Sequence, residues 1–167
     1  REAEGDARAV DYYWVGGEAR IAGTIVHRWL QYAAQTGNGA DALADEGLAA
    51  TTDRWLRELG VASGETIAHI RTRVNAALRR VREDTRGRWL LSGRGYAELA
   101  LSGVVRGAVE SGVLDRVRVD DDGTHWIVDY KTSTHEGGNL EGFLAAEASR
   151  YRDQLERYAS LYRAYKG

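Results

Sequence analysis

The chain has 167 residues, 43% of them apolar and 29% charged, enough for one domain with a real core and too apolar for a disordered segment. Its 23 basic and 25 acidic residues leave a net charge of −2, which argues against a domain that captures nucleic acid unaided. No cysteine is present, so disulfides, thiolate zinc, iron–sulfur ligation and cysteine nucleophiles are excluded, and any metal must take oxygen or imidazole ligands. No run approaches the length of a membrane span, and the N-terminal residues lack the basic and apolar regions of a secretory signal, so we expect an intracellular, cytoplasmic protein with no membrane partner.

In chain order, 18–36 reads as a helix, with Ile21, Ile25, Trp29 and Tyr32 at helical spacing and Gly37 as its stop. A second helix is expected over 41–59, capped by Asp41, supplied with apolar positions by Leu48, Trp55, Leu56 and Leu59, and ended by Gly60. A third, 65–85, offers Ile67, Ile70, Val74, Leu78 and Val81 for burial. Its arginines and those just beyond it, Arg71 to Arg88, read as a solvated face that could also meet DNA or a partner protein. After Gly87 the pattern changes to strand, first Trp89-Leu-Leu91 and then Tyr96 to Leu101. Gly112 to Val119 and Trp126 to Lys131 flank the acidic turn Asp120-Asp-Asp-Gly123 and form a hairpin. Residues 132–138 are a polar loop, and 140–165 hold one short and one longer helix. With no internal repeat and no linker, the expectation is an α/β fold in a single domain, 1–167. Residues 1–87 would be helical and 88–167 a sheet-containing core, with a small mixed β-sheet flanked by helices.

The hairpin carries the chemistry. Pairing Val119 with His125 sets Asp115 opposite Asp129 and Val113 opposite Lys131, on a face shared with Val117, Val119 and Ile127. Arg116, Arg118, Trp126, Val128 and Tyr130 take the other face. Two carboxylates sharing a small site repel and ask for a cation between them. Glu98, on the strand before the hairpin, is a candidate further carboxylate, and the hydroxyls of Thr132-Ser-Thr134 are candidate phosphate contacts. Gln154 and Tyr158 lie four apart on one face of the last helix. His69, His125 and His135 read as structural or solvated, and His27 taken alone reads the same way.

Gly23-Thr-Ile-Val-His27-Arg-Trp-Leu30, Gly112-Val-Leu-Asp115-Arg, Asp129-Tyr-Lys131-Thr and Gln154-Leu-Glu-Arg-Tyr158, in this order, resemble the RecB-type nuclease domain of the PD-(D/E)XK superfamily. The resemblance is closest to the C-terminal nuclease domain of AddA-like, UvrD-related helicase-nucleases and runs from about residue 9 to 165. It implies a restriction-endonuclease-like core in which His27, Asp115, Asp129 and the backbone carbonyl of Tyr130 bind Mg²⁺ or Mn²⁺. Lys131 would orient or deprotonate the attacking water, and Gln154 and Tyr158 would contact DNA or support the site. The implied activity is exonuclease-type hydrolysis of single-stranded DNA delivered by a helicase, in cis or in trans, during bacterial double-strand-break repair and recombination. Leu114 stands where the superfamily name has Pro, as is usual in this branch, and Asp153 stands where relatives often have Pro. The absence of Pro and Met and the start without an initiator Met suggest an excised or stability-engineered domain, whose alternative role is a nuclease-like scaffold that binds DNA or a partner protein.

Overall fold

The computed structural model describes residues 4–44, 47–131 and 140–167, and divides into two compact units, Arg1–Ser92 and Gly93–Gly167. The first unit is helical. Helix α1 spans Glu4–Gln35, a 3-10 segment spans Gly39–Ala44, and α2 (Leu48–Glu58), α3 (Gly64–Glu83) and α4 (Thr85–Leu91) follow. In α1 the buried residues Ala22, Ile25, Val26, Trp29, Leu30 and Ala33 recur every three or four positions and make one apolar stripe. Ile67, Ile70, Val74 and Leu78 do the same for α3, as their spacing predicts, while Val81 stays half-buried. Trp29 binds the pair together with α2: its ring lies 4.7 Å from that of Trp55, and its indole N–H donates to the fully buried Thr52 hydroxyl at 3.0 Å.

Three sequence expectations change here. The helix predicted over 41–59 is a 3-10 segment and a shorter α2, because Gly47 falls inside the predicted span and weakens helix continuity there. Its end is as predicted: Gly60, at φ +86°, turns the chain so that its N–H reaches Arg57 O and that of Val61 reaches Leu56 O, both at 3.0 Å. Trp89-Leu-Leu91, read as a strand, closes α4 instead. Asp84 decides this, since its carboxylate accepts the Arg86 N–H at 2.7 Å and starts a new helix where α3 stops. The arginine run is only partly a solvated face, for Arg71 grips Asp53 through two bonds of 2.7 and 2.6 Å and Arg88 reaches Asp41 at 3.2 Å.

The second unit is a three-stranded sheet in the order β1 (Arg94–Val105), β2 (Ala108–Val119), β3 (His125–Val128), followed by one long helix, α5 (Leu140–Lys166), rather than a short and a long one. Gly142 alone, at a cost of about 1 kcal/mol, is too weak a breaker to divide it. Among the described residues the sheet is antiparallel throughout where a mixed one was expected. Both connections are short turns, and a parallel partner needs a long crossover. The predicted hairpin register holds from Val119↔His125 to Arg116↔Val128. Within the turn, the Asp122 carboxylate accepts the Thr124 N–H at 2.8 Å and Gly123 takes φ +85°.

The core of this unit joins Leu114 and Val117 of β2 to Tyr158 and Tyr162 of α5, with Leu99, Leu101 and Ile127 packed against them. Strict alternation would send residues 114 and 117 to opposite faces. Both are fully buried because the strand pair is distorted between them. Glu98 sits at φ +53°, and it and the facing Asp115 drop out of the ladder together, which runs Ala97↔Arg116 and then Leu99↔Leu114 with no residue inserted. The expected shared face of Val113 and Val117 is therefore wrong: Val113 is 43% exposed and Val117 is 0%. Arg116, a charged side chain, is only 1% exposed.

Leu114→Ala should cost about 2–5 kcal/mol in urea unfolding, since it opens a cavity among Val117, Tyr158 and Tyr162. A loss below about 1 kcal/mol would mean that Leu114 is not part of a close-packed core.

Candidate active site

The site in the second unit forms where the ladder between β2 and β3 stops. After Val128 the chain leaves the sheet, so Asp115 and Asp129 do not form the next rung, and Val113 and Lys131 do not pair. The Asp115 side chain takes over, its Oδ2 accepting the backbone N–H of Tyr130 at 2.7 Å. Because Tyr130 is pinned, the residues on either side of it project from a fixed point. Asp129 meets Lys131 Nζ through Oδ2 at 2.5 Å and the Gln154 amide through Oδ1 at 3.2 Å. The same Gln154 nitrogen donates to the Tyr158 hydroxyl at 2.9 Å.

On the other side of Asp115 stands Glu98. Its left-handed backbone, in a β-strand, costs roughly 1–3 kcal/mol and turns the carboxylate to the same side as that of Asp115, with oxygens of the two within 4.8 Å of one another. Two carboxylates this close repel unless a cation or proton stands between them. Oxygen donors of this kind suit a hard divalent ion, so the residues present fit a metal.

Lys131 lies with its ammonium 4.4 Å from the centre of the Tyr151 ring. Partial burial opposes its charge, but the hydrogen bond and attraction from Asp129, helped by Tyr151 and Asp115, outweigh that and raise its pKa above 10.5. It is an ammonium at neutral pH, a donor with no lone pair to accept a proton. Burial first, and then the negative charges of Asp115 and Glu98, push the Tyr130 phenol far above its ordinary value, so it stays neutral. Beneath the site the Arg116 guanidinium donates to the carbonyls of Tyr96 and Val117 at 3.2 Å and of Gly93 at 3.4 Å. Its burial lowers its pKa.

Of the residues singled out from sequence, Glu98, Asp115, Asp129, Tyr130, Lys131, Gln154 and Tyr158 belong to this one network. His27 stands half-buried on α1 in the first unit. Thr132, with the rest of the 132–138 loop and His135, lies outside the described residues. His125 bonds the Tyr162 hydroxyl at 2.7 Å and His69 bonds Glu18 at 2.8 Å, both structural roles. Sequence reasoning missed Tyr151, Arg116 and the role of Gly112. For Gly112 a signal existed, a glycine inside a strand pattern, which marks close approach of another group.

The raised pKa of Lys131 sets a pH dependence. Its contribution to stability is complete below the unfolded value near 10.5 and is lost as pH climbs through the higher folded value. The stability difference between the native protein and Lys131→Met should thus stay flat between about pH 6 and 9 and shrink only in stronger base. Urea titrations across that range check this, and a difference already falling from about pH 7 to 9 would contradict it.

No curated protein and no solved structure matches the chain. A family model described as the PD-(D/E)XK nuclease superfamily matches residues 15–167, which takes in most of the first unit and all of the second. Nucleases of that superfamily typically use divalent metals, in keeping with the paired carboxylates found here. The small three-stranded antiparallel sheet with helices accords with its restriction-endonuclease-like fold. Both the extent of the match and the Asp115, Asp129, Lys131 arrangement it encloses lead to one conclusion: this chain belongs to the PD-(D/E)XK nuclease superfamily.

Proposed function

We propose that the chain is the metal-dependent DNA nuclease domain of a helicase-nuclease, of RecB type and nearest to AddA-like enzymes, acting in bacterial double-strand-break repair and recombination. The observation that carries this reading is the tethering of Asp129-Tyr-Lys131 to Asp115 through the Tyr130 amide. It brings two carboxylates and an ammonium into one network on a rigid support. The metal-binding group we propose is His27, Asp115, Asp129 and the Tyr130 backbone carbonyl, within a single nuclease domain, 1–167. Oxygen donors with one imidazole suit Mg²⁺ or Mn²⁺. When bound, such an ion supplies positive charge to a scissile phosphate and lowers the pKa of water.

The chain's own groups supply the rest. Lys131, held as an ammonium, serves as a donor that orients the attacking water and offsets negative charge developing on phosphorus oxygens, a role its raised pKa favours over that of a base. Gln154 and Tyr158 hold the Asp129 carboxylate in place, and Glu98 adds negative charge beside Asp115. Thr132 is proposed as a phosphate contact. The net charge of −2 gives the domain little long-range pull on DNA, which suits single strands delivered by an attached or partner helicase in the cytoplasm. No helix among the described residues is long and apolar enough to cross a membrane.

Labelled single-stranded DNA should be cut by the chain in Mn²⁺ or Mg²⁺, not in chelator, with rates down at least about 10²-fold in Asp129→Ala and Lys131→Ala. Equal cutting by native and variant proteins would overturn the reading and leave a nuclease-like scaffold. Saturating Mn²⁺ should also stabilise the native protein, by about 2.7 kcal/mol at a hundredfold excess over Kd, and stabilise Asp115→Asn far less. No shift in the thermal melt would count against a formed metal site.

A further inference from the structure

The network around Asp129 reaches further than Gln154. Gly112 lies on β2, three residues before Asp115, and has neither charge nor side chain. A Cβ at this position would fall 2.7 Å from Cε1 and 3.2 Å from Cδ1 of Tyr158. No ordinary side chain tolerates the shorter distance, so only glycine admits the ring where it stands. Glycine inside a strand costs backbone entropy, and here that cost goes with close approach of α5 to β2. The ring itself is 8% exposed and packed with Leu114, Val117 and Tyr162, so it has little room to move aside.

The position of that ring decides the position of its hydroxyl, and the hydroxyl decides how Gln154 is held. An ionised carboxylate only accepts hydrogen bonds, so Gln154 must turn its NH₂, not its carbonyl, toward Asp129. That nitrogen carries two hydrogens. One goes to Asp129 Oδ1 at 3.2 Å and the other to the Tyr158 hydroxyl at 2.9 Å, which anchors the amide in this orientation. Oδ2 of Asp129 is left for Lys131 at 2.5 Å.

We propose that Gly112 is a positioning residue of the active site: by admitting the Tyr158 ring against β2 it sets the hydroxyl that anchors Gln154, and through Gln154 it fixes Asp129 and the ammonium of Lys131. Its catalytic consequence rests on the nuclease reading above; its geometric consequence does not. Gly112 acts at a remove, touching neither substrate nor metal.

Lys131 and Lys166 are the chain's two lysines, so protein labelled with ¹³C at lysine gives two resolvable Cε–Hε signals. The Lys131 signal carries the ring-current shift of Tyr151, 4.4 Å from its ammonium, and reports displacement of the Asp129–Lys131 pair without metal or DNA. In metal-free protein Gly112→Ala and Tyr158→Phe should each move the Lys131 signal and leave that of Lys166 in place. The double variant should match Tyr158→Phe alone, because both changes act through the same hydroxyl. With metal and single-stranded DNA, each single variant should lower kcat about tenfold with KM within about twofold. An unmoved Lys131 signal in folded Gly112→Ala overturns the proposal. If that variant does not fold, an unmoved signal in Tyr158→Phe, which adds no atom to the core, overturns it equally. Displaced Lys131 signals in a chain that cuts no DNA would sink the nuclease reading alone.

Discussion

The hydrogen bond from the Tyr130 amide to the Asp115 carboxylate is the contact on which the site depends. A β-ladder that ended at Val128 with nothing beyond it would leave 129–131 to fray, as strand ends do. Asp115 replaces the missing backbone rung with a side chain, and its 2.7 Å bond fixes one peptide unit. A bond from an amide to a charged carboxylate is worth roughly twice a neutral one. From that fixed unit Asp129 and Lys131 project as neighbours on one network.

The arrangement is held against several opposing terms. Lys131 and Arg116 both lose hydration, yet their charges are met differently. Lys131 has a carboxylate and an aromatic face, and its pKa rises. Arg116 spreads its donors over three backbone carbonyls, and its pKa falls. Those carbonyls belong to residues 93, 96 and 117, so the buried guanidinium fastens the start of β1 to β2 just before the distorted Glu98. A sheet of three strands has little core of its own, and α5 supplies the remainder through Tyr158, Leu161 and Tyr162. The helix that closes the core is also the one that carries Gln154. Packing and site geometry are in this sense one problem, solved at the contact between Tyr158 and Gly112.

Much of this was legible in the sequence, and the failures have definite causes. The hairpin register was readable because a four-residue acidic turn with glycine at its end fixes the pairing of its flanks, and Val119↔His125 followed. The choice of face was not, because alternation holds only while every residue keeps an extended backbone, and Glu98 does not. Trp89-Leu-Leu91 has strand composition, but a capping carboxylate five residues earlier outweighed it. Asp115, Asp129, Lys131, Gln154 and Tyr158 were brought forward by spacing and resemblance, whereas Tyr151 and Arg116 have no local signature and entered through tertiary packing. His27 was brought forward by resemblance alone, and its role as a ligand is part of the proposal rather than of the observed geometry.

Asp115 and Asp129 are proposed as the heart of a divalent metal site. Anomalous diffraction from crystals soaked in Mn²⁺ tests it most directly, since manganese scatters anomalously and the protein has no sulfur to confuse the map. A strong peak is expected at the carboxylates of Asp115 and Asp129. A map with no peak there at saturating Mn²⁺, or with its strongest peak on unrelated surface carboxylates, would contradict it.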